Sequence, residues 1–97
     1  MEAKSLDEVR ANIDRLDREI VRLMAERGGF VLQAARFKAT EADVAAPDRV
    51  EQVIGKVRAL AGDAGLEPAV AEATYRAMIA AFIEAERAAF RSQRPDK

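Results

Sequence analysis

Apolar side chains recur along the first third of the chain at alternating steps of four and three residues. This spacing puts them on one side of an α-helix and predicts a single first helix from about Leu6 to about Lys38. Such a helix would be roughly 50 Å long, too long to bury its stripe against two shorter helices of one small chain. The sequence therefore predicts a partner chain. The stripe consists of Val9, Ile13, Leu16, Ile20, Leu23, Arg27, Phe30, Ala34 and Phe37.

Proline and glycine mark the boundaries of two further helices. Pro47 suits the first turn of a second helix, which we expect to end at Gly62–Gly65. Pro68 opens a third helix that runs to about Ser92. No segment is a candidate strand, so the sequence predicts an all-α fold with three helices, organised as one domain over residues 1–97.

Two shorter segments flank the first helix. Ser5-Leu-Asp-Glu8 fits a capping box, in which the serine hydroxyl and the glutamate carboxylate satisfy backbone amides at a helix start. Ala39–Ala46 has no helical period, and we expect it to be a connector that becomes ordered when ligand binds.

Composition excludes several classes of site. The chain has no Cys and no His, so disulfides, thiol nucleophiles, Ser-His-Asp relays and the usual zinc sites are ruled out. Its net charge of −1 argues against a nucleic-acid binder. We expect a cytoplasmic protein without membrane contacts, because there is neither a bilayer-spanning apolar run nor a signal-peptide pattern. An enzyme of this composition must work with Arg, Lys, Asp and Glu.

Two cationic residues of the first helix lie on its apolar side and not on the side that faces solvent. Arg27 occupies a stripe position between Leu23 and Phe30, where an apolar residue is expected. Lys38 follows 11 residues later, within about 20° of the same face and roughly 16 Å further along the axis. Together the two side chains could bracket a small anion. The alternatives are that Arg27 snorkels or pairs with a buried acid, and that Lys38 complements the helix dipole.

Arg49 lies at the start of the second helix, at the edge of its apolar face. Helix starts attract anions, and an arginine there can add a bidentate grip on a carboxylate. The alternative is a surface arginine paired with Asp48 or Glu51.

Glu86 is surrounded by apolar residues one turn away on the third helix. Such a carboxyl is a candidate proton donor. The alternative is an edge glutamate paired with Arg87 or Arg91. The apolar neighbours are Phe82, Ile83, Ala89 and Phe90.

The segment Arg36–Val50, RFKATEADVAAPDRV, resembles the all-helical chorismate mutase family. Lys38 and Arg49 match site residues of that family. The resemblance extends over nearly the whole chain and is strongest to the branch containing the bacterial isochorismate-pyruvate lyases of salicylate (siderophore) synthesis.

A second segment, Val9–Asp17 or VRANIDRLD, is similar to the opening segment of the family and puts its first site arginine at Arg10. Arg27 matches the second. The resemblance implies an intertwined homodimer of three-helix chains in which each site uses residues of both. The spacing agrees, because Arg10 and Arg27 lie roughly 25 Å apart along one helix and about 100° apart around it. We therefore expect Arg10 to serve the site of the partner chain.

The resemblance also implies the chemistry. The substrate is a small cyclohexadiene with two carboxylates and an enolpyruvyl ether, either chorismate or isochorismate. Arg10 of the partner, Arg27 and Arg49 would bind the carboxylates, while Lys38 would donate to the ether oxygen. Both family reactions are pericyclic, so no metal or other cofactor is expected.

Two positions bear on which reaction is catalysed. Many family members have Gln at the position of Glu86. An amide can always donate a hydrogen bond, whereas the carboxyl group of Glu86 can donate one only when it is protonated. Val50 stands where chorismate-only mutases often carry a glutamate for the ring hydroxyl at C4, which isochorismate lacks. The sequence therefore favours isochorismate cleavage to salicylate and pyruvate, with mutase activity on the side. The alternatives are a dedicated chorismate mutase of aromatic amino-acid biosynthesis and, more remotely, a helical dimerisation module without catalysis.

Overall fold

The computed structural model describes residues 2–38 and 45–93, apart from the side chains of residues 90 and 93. Within these ranges the chain is all-helical and has no strand, as predicted. No helix in the described part is both long and apolar enough to cross a bilayer. The elements are α1 (Leu6–Ala34), a 3₁₀ turn (Ala35–Phe37), α2 (Pro47–Ala64) and α3 (Pro68–Gln93).

The chain divides into two compact units, Met1–Phe30 and Val31–Lys97. The single-domain organisation over residues 1–97 and the intertwined dimer stay predictions. The expected connector, Ala39–Ala46, falls largely on residues 39–44, which lie outside the described residues, as does its expected ordering on ligand binding.

The start of α1 departs by one residue from a capping box. The hydroxyl of Ser5 accepts a hydrogen bond from the Glu8 amide at 3.1 Å, as the motif requires. The Glu8 carboxylate accepts from the backbone amide of Lys4, also at 3.1 Å, and not from that of Ser5. The motif still satisfies two backbone donors and fixes where the helix begins.

The apolar stripe of α1 is largely exposed in the single chain. Its large side chains retain between 40% (Val9) and 65% (Phe30) of their accessible surface. Gly28 is the buried residue of this 29-residue helix. An exposed apolar surface this long is typical of a face that associates with another chain. The exposed stripe residues are Val9, Ile13, Leu16, Ile20, Leu23 and Phe30.

The end of α1 differs from the sequence expectation. The α-helix stops at Ala34 and tightens into the 3₁₀ turn, after which Lys38 is extended with φ −88° and ψ 133°. The helical course thus ends one residue before the predicted limit. The α-helical spacing that put Arg27 and Lys38 on one face is wrong, because the last turn is not α-helical.

The predicted ends of α2 and α3 are confirmed by the backbone. Gly65 has φ 81° and ψ 19°, a left-handed conformation that glycine adopts without steric cost. Its amide and that of Leu66 bind the carbonyls of Gly62 and Ala61, the pattern of a Schellman motif. Gly65, Leu66 and Glu67 are the three residues between α2 and α3, so the two helices form a tight antiparallel pair.

The core of the second unit lies between α2 and α3 and extends to the 3₁₀ turn, which contacts α3. Ala35 of that turn is 1% exposed. The contact with α3 and the burial of Ala35 hold the 3₁₀ turn in place. The buried apolar residues are Ala35, Ile54, Val57, Ala61, Ala71 and Ile79.

An ion-pair network joins α2 to α3 on their solvent side. Arg76 donates to both carboxylate oxygens of Glu51 at 2.9 Å and, through Nε, to Glu72 at 2.8 Å. Arg58 donates to the other oxygen of Glu72 at 2.7 Å. The hydrogen bonds from Arg76 lower the pKa of Glu51 and Glu72 below their usual value, and those carboxylates raise the pKa of Arg76.

The network predicts a pH-dependent contribution to stability. Arg76→Met should lower Tm at pH 7, and its difference from the wild type should shrink as pH falls to about 3. The reason is that folding lowers the pKa of both carboxyl groups below 4.5, their value in the unfolded chain. The carboxylates therefore stabilise the fold fully at a pH above 4.5, and this stabilisation is lost as the pH falls through the lowered pKa of the folded protein.

Thermal unfolding at both pH values measures this difference. Arg87→Met is the matched control, because it removes one pair with Glu84 inside the same helix and should change Tm less. A Tm difference for Arg76→Met that is equal or larger at the lower pH would contradict the prediction.

Candidate active site

Lys38 and Glu86 are in direct contact. The 3₁₀ turn, anchored on α3 by Ala35, delivers the extended backbone of Lys38 to the side of that helix. The Lys38 ammonium lies 3.1 Å from Glu86 Oε2. The two side chains are 24% and 5% exposed, so the carboxylate is almost completely removed from water.

A buried ion pair of this kind is seldom retained for stability. Removing both charges from water costs free energy that their attraction barely offsets, and an apolar pair of similar size often does as well. The fold therefore positions a cation and a carboxyl next to each other in a poorly solvated place, where hydrogen bonds to a ligand are strengthened. Glu86 is a buried residue and not the edge glutamate of the alternative interpretation.

The neighbours of Glu86 agree with the sequence expectation. Phe82, Ile83 and Ala89 are half-buried around it on α3. The next cation along the helix, Arg87, pairs with Glu84 at 3.2 Å. Glu86 thus lies among half-buried apolar residues of its own helix, an environment that suits a small ligand with a hydrocarbon ring and polar substituents.

Arg49 and Val50 lie in the first turn of α2. Arg49 is exposed, and its Nη1 donates to Gln52 Oε1 at 2.6 Å. The expected alternative partner Glu51 has both oxygens bound by Arg76. Val50 is half-buried, and its amide binds the carbonyl of Ala46 at 3.0 Å. An exposed guanidinium at a helix start is available for a carboxylate ligand, while Val50 adds an apolar surface beside it.

Arg10 and Arg27 both belong to α1, which is uninterrupted between them. Arg10 is exposed and Arg27 is half-buried. The helical rise separates the two Cα atoms by roughly 25 Å, so one chain cannot direct both side chains to one small ligand.

Sequence reasoning missed Arg76. Its bidentate hydrogen bonds to Glu51 fix the residue next to Val50, although Arg76 matched no motif. The spacing of Glu72 and Arg76, one turn apart, indicates an ion pair within α3, but nothing in the sequence indicates that the same guanidinium reaches α2.

The comparison with known proteins agrees with this arrangement. The model of the family described as chorismate mutase type II matches residues 9–87. The chain belongs to the chorismate mutase type II family. The matched range contains all six candidate residues, and the family resemblance inferred from the sequence is confirmed. These residues are Arg10, Arg27, Lys38, Arg49, Val50 and Glu86.

A curated relative of this chorismate mutase family member is similar over most of its length. An isochorismate pyruvate lyase of Pseudomonas aeruginosa is 35% identical over 78 residues, which cover 80% of this chain and 77% of that protein. The similarity to the lyase branch is thereby confirmed. Family and relative together support an enzyme of the pericyclic type.

The buried pair predicts strong energetic coupling between two residues 48 positions apart. The test is a double-mutant cycle of Lys38→Met and Glu86→Leu, in which each single variant leaves one charge without its partner. The double variant should therefore lose less free energy of unfolding than the sum of the losses in the two single variants. We expect a coupling energy of about 1–2 kcal/mol. Urea unfolding at one fixed protein concentration measures it.

The exposed pair of Arg87 and Glu84 on α3 provides the matched cycle, with Arg87→Met and Glu84→Leu. Its coupling should not exceed about 0.5 kcal/mol. A Lys38–Glu86 coupling as small as this control would show that the contact does not persist in solution.

Proposed function

We propose that this chain cleaves isochorismate to salicylate and pyruvate, with the rearrangement of chorismate to prephenate as a side activity. The observation that carries the proposal is the buried contact of Lys38 with Glu86 inside a chain of the chorismate mutase family. Val50 and the similarity to a protein named isochorismate pyruvate lyase favour the lyase reaction over the mutase reaction.

The cleavage needs no nucleophile and no cofactor. The ether C–O bond breaks while a hydrogen moves from the ring to the methylene carbon of the enolpyruvyl group, which becomes the methyl group of pyruvate. The ring becomes aromatic. The protein has to hold the reactive conformer and to stabilise negative charge that develops on the ether oxygen.

Cationic side chains perform both tasks in this proposal. Arg27 and Arg49 of one chain, with Arg10 of the partner, bind the two carboxylates and fix the side chain over the ring. Lys38 donates to the ether oxygen. An ammonium has three N–H donors, so one of them can remain on Glu86 while another stabilises the breaking bond.

In the substrate complex Glu86 contributes as a protonated carboxyl, in place of the ion pair that it forms with Lys38 in the free chain. Its Oε2 still accepts from Lys38, and the carboxyl hydroxyl donates to the ether oxygen. A carboxylate next to the ether oxygen would repel the charge that develops there, whereas a carboxylic acid donates to it. Its burial beside apolar residues keeps water away from this hydrogen bond.

The active form is a homodimer in this proposal. The exposed stripe of α1 supplies the surface, and the distance between Arg10 and Arg27 supplies the reason why the site needs two chains. A second copy running along the first would cover the stripe and bring its own Arg10 to the site.

Two other functions compete with this proposal. A dedicated chorismate mutase would use the same cations but would bind a ring hydroxyl at C4, for which Val50 has no hydrogen-bonding group. A dimerisation module without catalysis would explain the stripe, but it leaves Arg27 on that stripe and the buried Lys38–Glu86 pair without a role.

The substrate preference follows from Val50. Purified protein incubated separately with isochorismate and chorismate should show the higher kcat/KM with isochorismate. Val50→Glu should lower the lyase kcat/KM by about tenfold or more, because it adds an anion next to a dianionic substrate. Salicylate fluorescence measures the lyase reaction, and the loss of chorismate absorbance measures the mutase reaction.

Val50→Leu is the matched control, since it keeps an apolar side chain and should keep the preference for isochorismate. A higher kcat/KM with chorismate in the wild type would assign the chain to the dedicated mutases. Activity on neither substrate would favour the dimerisation module.

A hydrogen-bond donor at position 86 predicts the effect of two substitutions there. Glu86→Gln should keep kcat/KM with isochorismate within about tenfold of the wild type, because an amide also donates a hydrogen bond. Glu86→Leu has no donor and should lower kcat/KM by about 10²–10³, as for the loss of one preorganised donor. Salicylate fluorescence at one fixed pH measures both variants.

Glu84→Gln controls for the loss of a negative charge from α3 and should leave kcat/KM within about twofold of the wild type. If Glu86→Gln loses as much activity as Glu86→Leu, a hydrogen bond donated at position 86 is not what the reaction needs.

A further inference from the structure

The first turn of α2 has no side-chain hydrogen bond at its N-cap. Its N-cap residue is Ala46, which makes no side-chain hydrogen bond to the backbone. Ala46 also has φ 39° and ψ 61°, a left-handed conformation that is unfavourable for a residue with a Cβ atom. Pro47 and the acidic Asp48 favour the helix start, but neither replaces the absent cap. Arg49 and Val50 thus lie on a turn that has no side-chain cap.

Arg76 of α3 contacts α2 immediately after this uncapped turn. Its Nη1 and Nη2 donate to the two carboxylate oxygens of Glu51, both at 2.9 Å. A two-point contact between planar groups fixes orientation as well as distance, which a single hydrogen bond does not. Glu51 follows Val50 directly, so the contact fixes the turn that carries the candidate binding residues.

The guanidinium of Arg76 is itself held in place. Its Nε donates to Glu72 Oε2 at 2.8 Å, one turn earlier on the same helix. Glu72 in turn accepts from Arg58 of α2 at 2.7 Å. Arg76 therefore uses all three nitrogens, and its side chain has little freedom to follow a movement of Glu51.

The ion-pair network around Arg76 does not include the side chains of the candidate binding residues Arg49 and Val50. Along a helix, Glu51 lies about 200° from Arg49 and about 100° from Val50, so the contact with Arg76 is made on another side of α2. Arg49 is bound to Gln52. Arg76 can act on Arg49 and Val50 through the backbone of α2 and not through their side chains.

The helix that carries Arg76 also carries Glu86, ten residues or roughly 15 Å further along α3. A fixed contact from α3 to the first turn of α2 therefore defines where that turn stands relative to Glu86. We propose that Arg76 is a positioning residue, which through its bidentate contact with Glu51 places Arg49 and Val50 for substrate relative to Glu86. This role rests on the proposed function for Arg49 and Val50.

The experiment compares three variants of the full-length protein. Arg76→Met removes the contact and keeps the aliphatic stem, and Glu51→Gln weakens the same contact from α2. Arg58→Met is the matched control, because it removes a cation from the same network but leaves the Glu51–Arg76 contact intact. Circular dichroism and Tm establish that each variant is folded.

The kinetic readout separates positioning from a general loss of stability. With isochorismate, Arg76→Met should raise KM about tenfold and change kcat by less than about threefold, since the misplaced residues bind ground state and transition state alike. Glu51→Gln should shift KM in the same direction, and Arg58→Met should leave it within about twofold of the wild type.

A second readout does not depend on turnover. Hydrogen exchange of the backbone amides of residues 50–53 should be faster in Arg76→Met and Glu51→Gln than in Arg58→Met. If the wild type acts on neither isochorismate nor chorismate, the proposed function fails, and this exchange pattern still decides whether Arg76 fixes the turn. Equal KM shifts in Arg76→Met and Arg58→Met, or unchanged exchange at residues 50–53 in Arg76→Met, would overturn the inference.

Discussion

The exposed apolar side of α1 is the constraint on which the rest of the account depends. A helix of 29 residues places six large stripe residues on one side, and each keeps at least 40% of its surface accessible in the single chain. Covering such a stripe contributes about 25 cal/mol for each Å² of apolar surface removed from water, which is a strong drive for association. The same helix carries Arg10 and Arg27 too far apart for one small ligand. In the proposed dimer, a second copy of this chain would both cover the stripe and supply the Arg10 that the site needs.

The Lys38–Glu86 contact shows where the fold departs from what stability alone would select. A lysine and a glutamate with 24% and 5% of their side chains exposed lose most of their hydration. A chain with no Cys and no His has few other groups for chemistry. A pericyclic reaction suits this inventory, because the protein contributes conformer selection and hydrogen bonds to one developing charge and forms no covalent intermediate.

Local sequence signals predicted the helix boundaries well. Pro47, Gly65 and Pro68 restrict or release the backbone at their own positions, so the boundaries of α2 and α3 did not depend on distant contacts. The end of α1 was predicted less well. The stripe spacing continues to Phe37, but the backbone changes to a 3₁₀ turn after Ala34, where Ala35 is buried on α3.

Contacts between distant residues were beyond prediction from the residues alone. Considered by itself, Glu86 was more readily explained as an edge residue, since its partner Lys38 is 48 positions away. The family resemblance indicated that Lys38 and Glu86 belong to the same site. It did not supply Arg76, whose contact with Glu51 spans 25 positions and two helices and has no motif.

Mixed dimers test the proposed site shared between two chains. Chains with Arg10→Ala and chains with Arg27→Ala, carrying different affinity tags, are expressed together, and the dimer holding one of each is purified. Each variant alone should be nearly inactive on isochorismate. In the mixed dimer, one site has Arg27 of one chain and Arg10 of the other, so about half of the wild-type activity should return. A mixed dimer as inactive as its parents, or a protein that stays monomeric, would contradict the account.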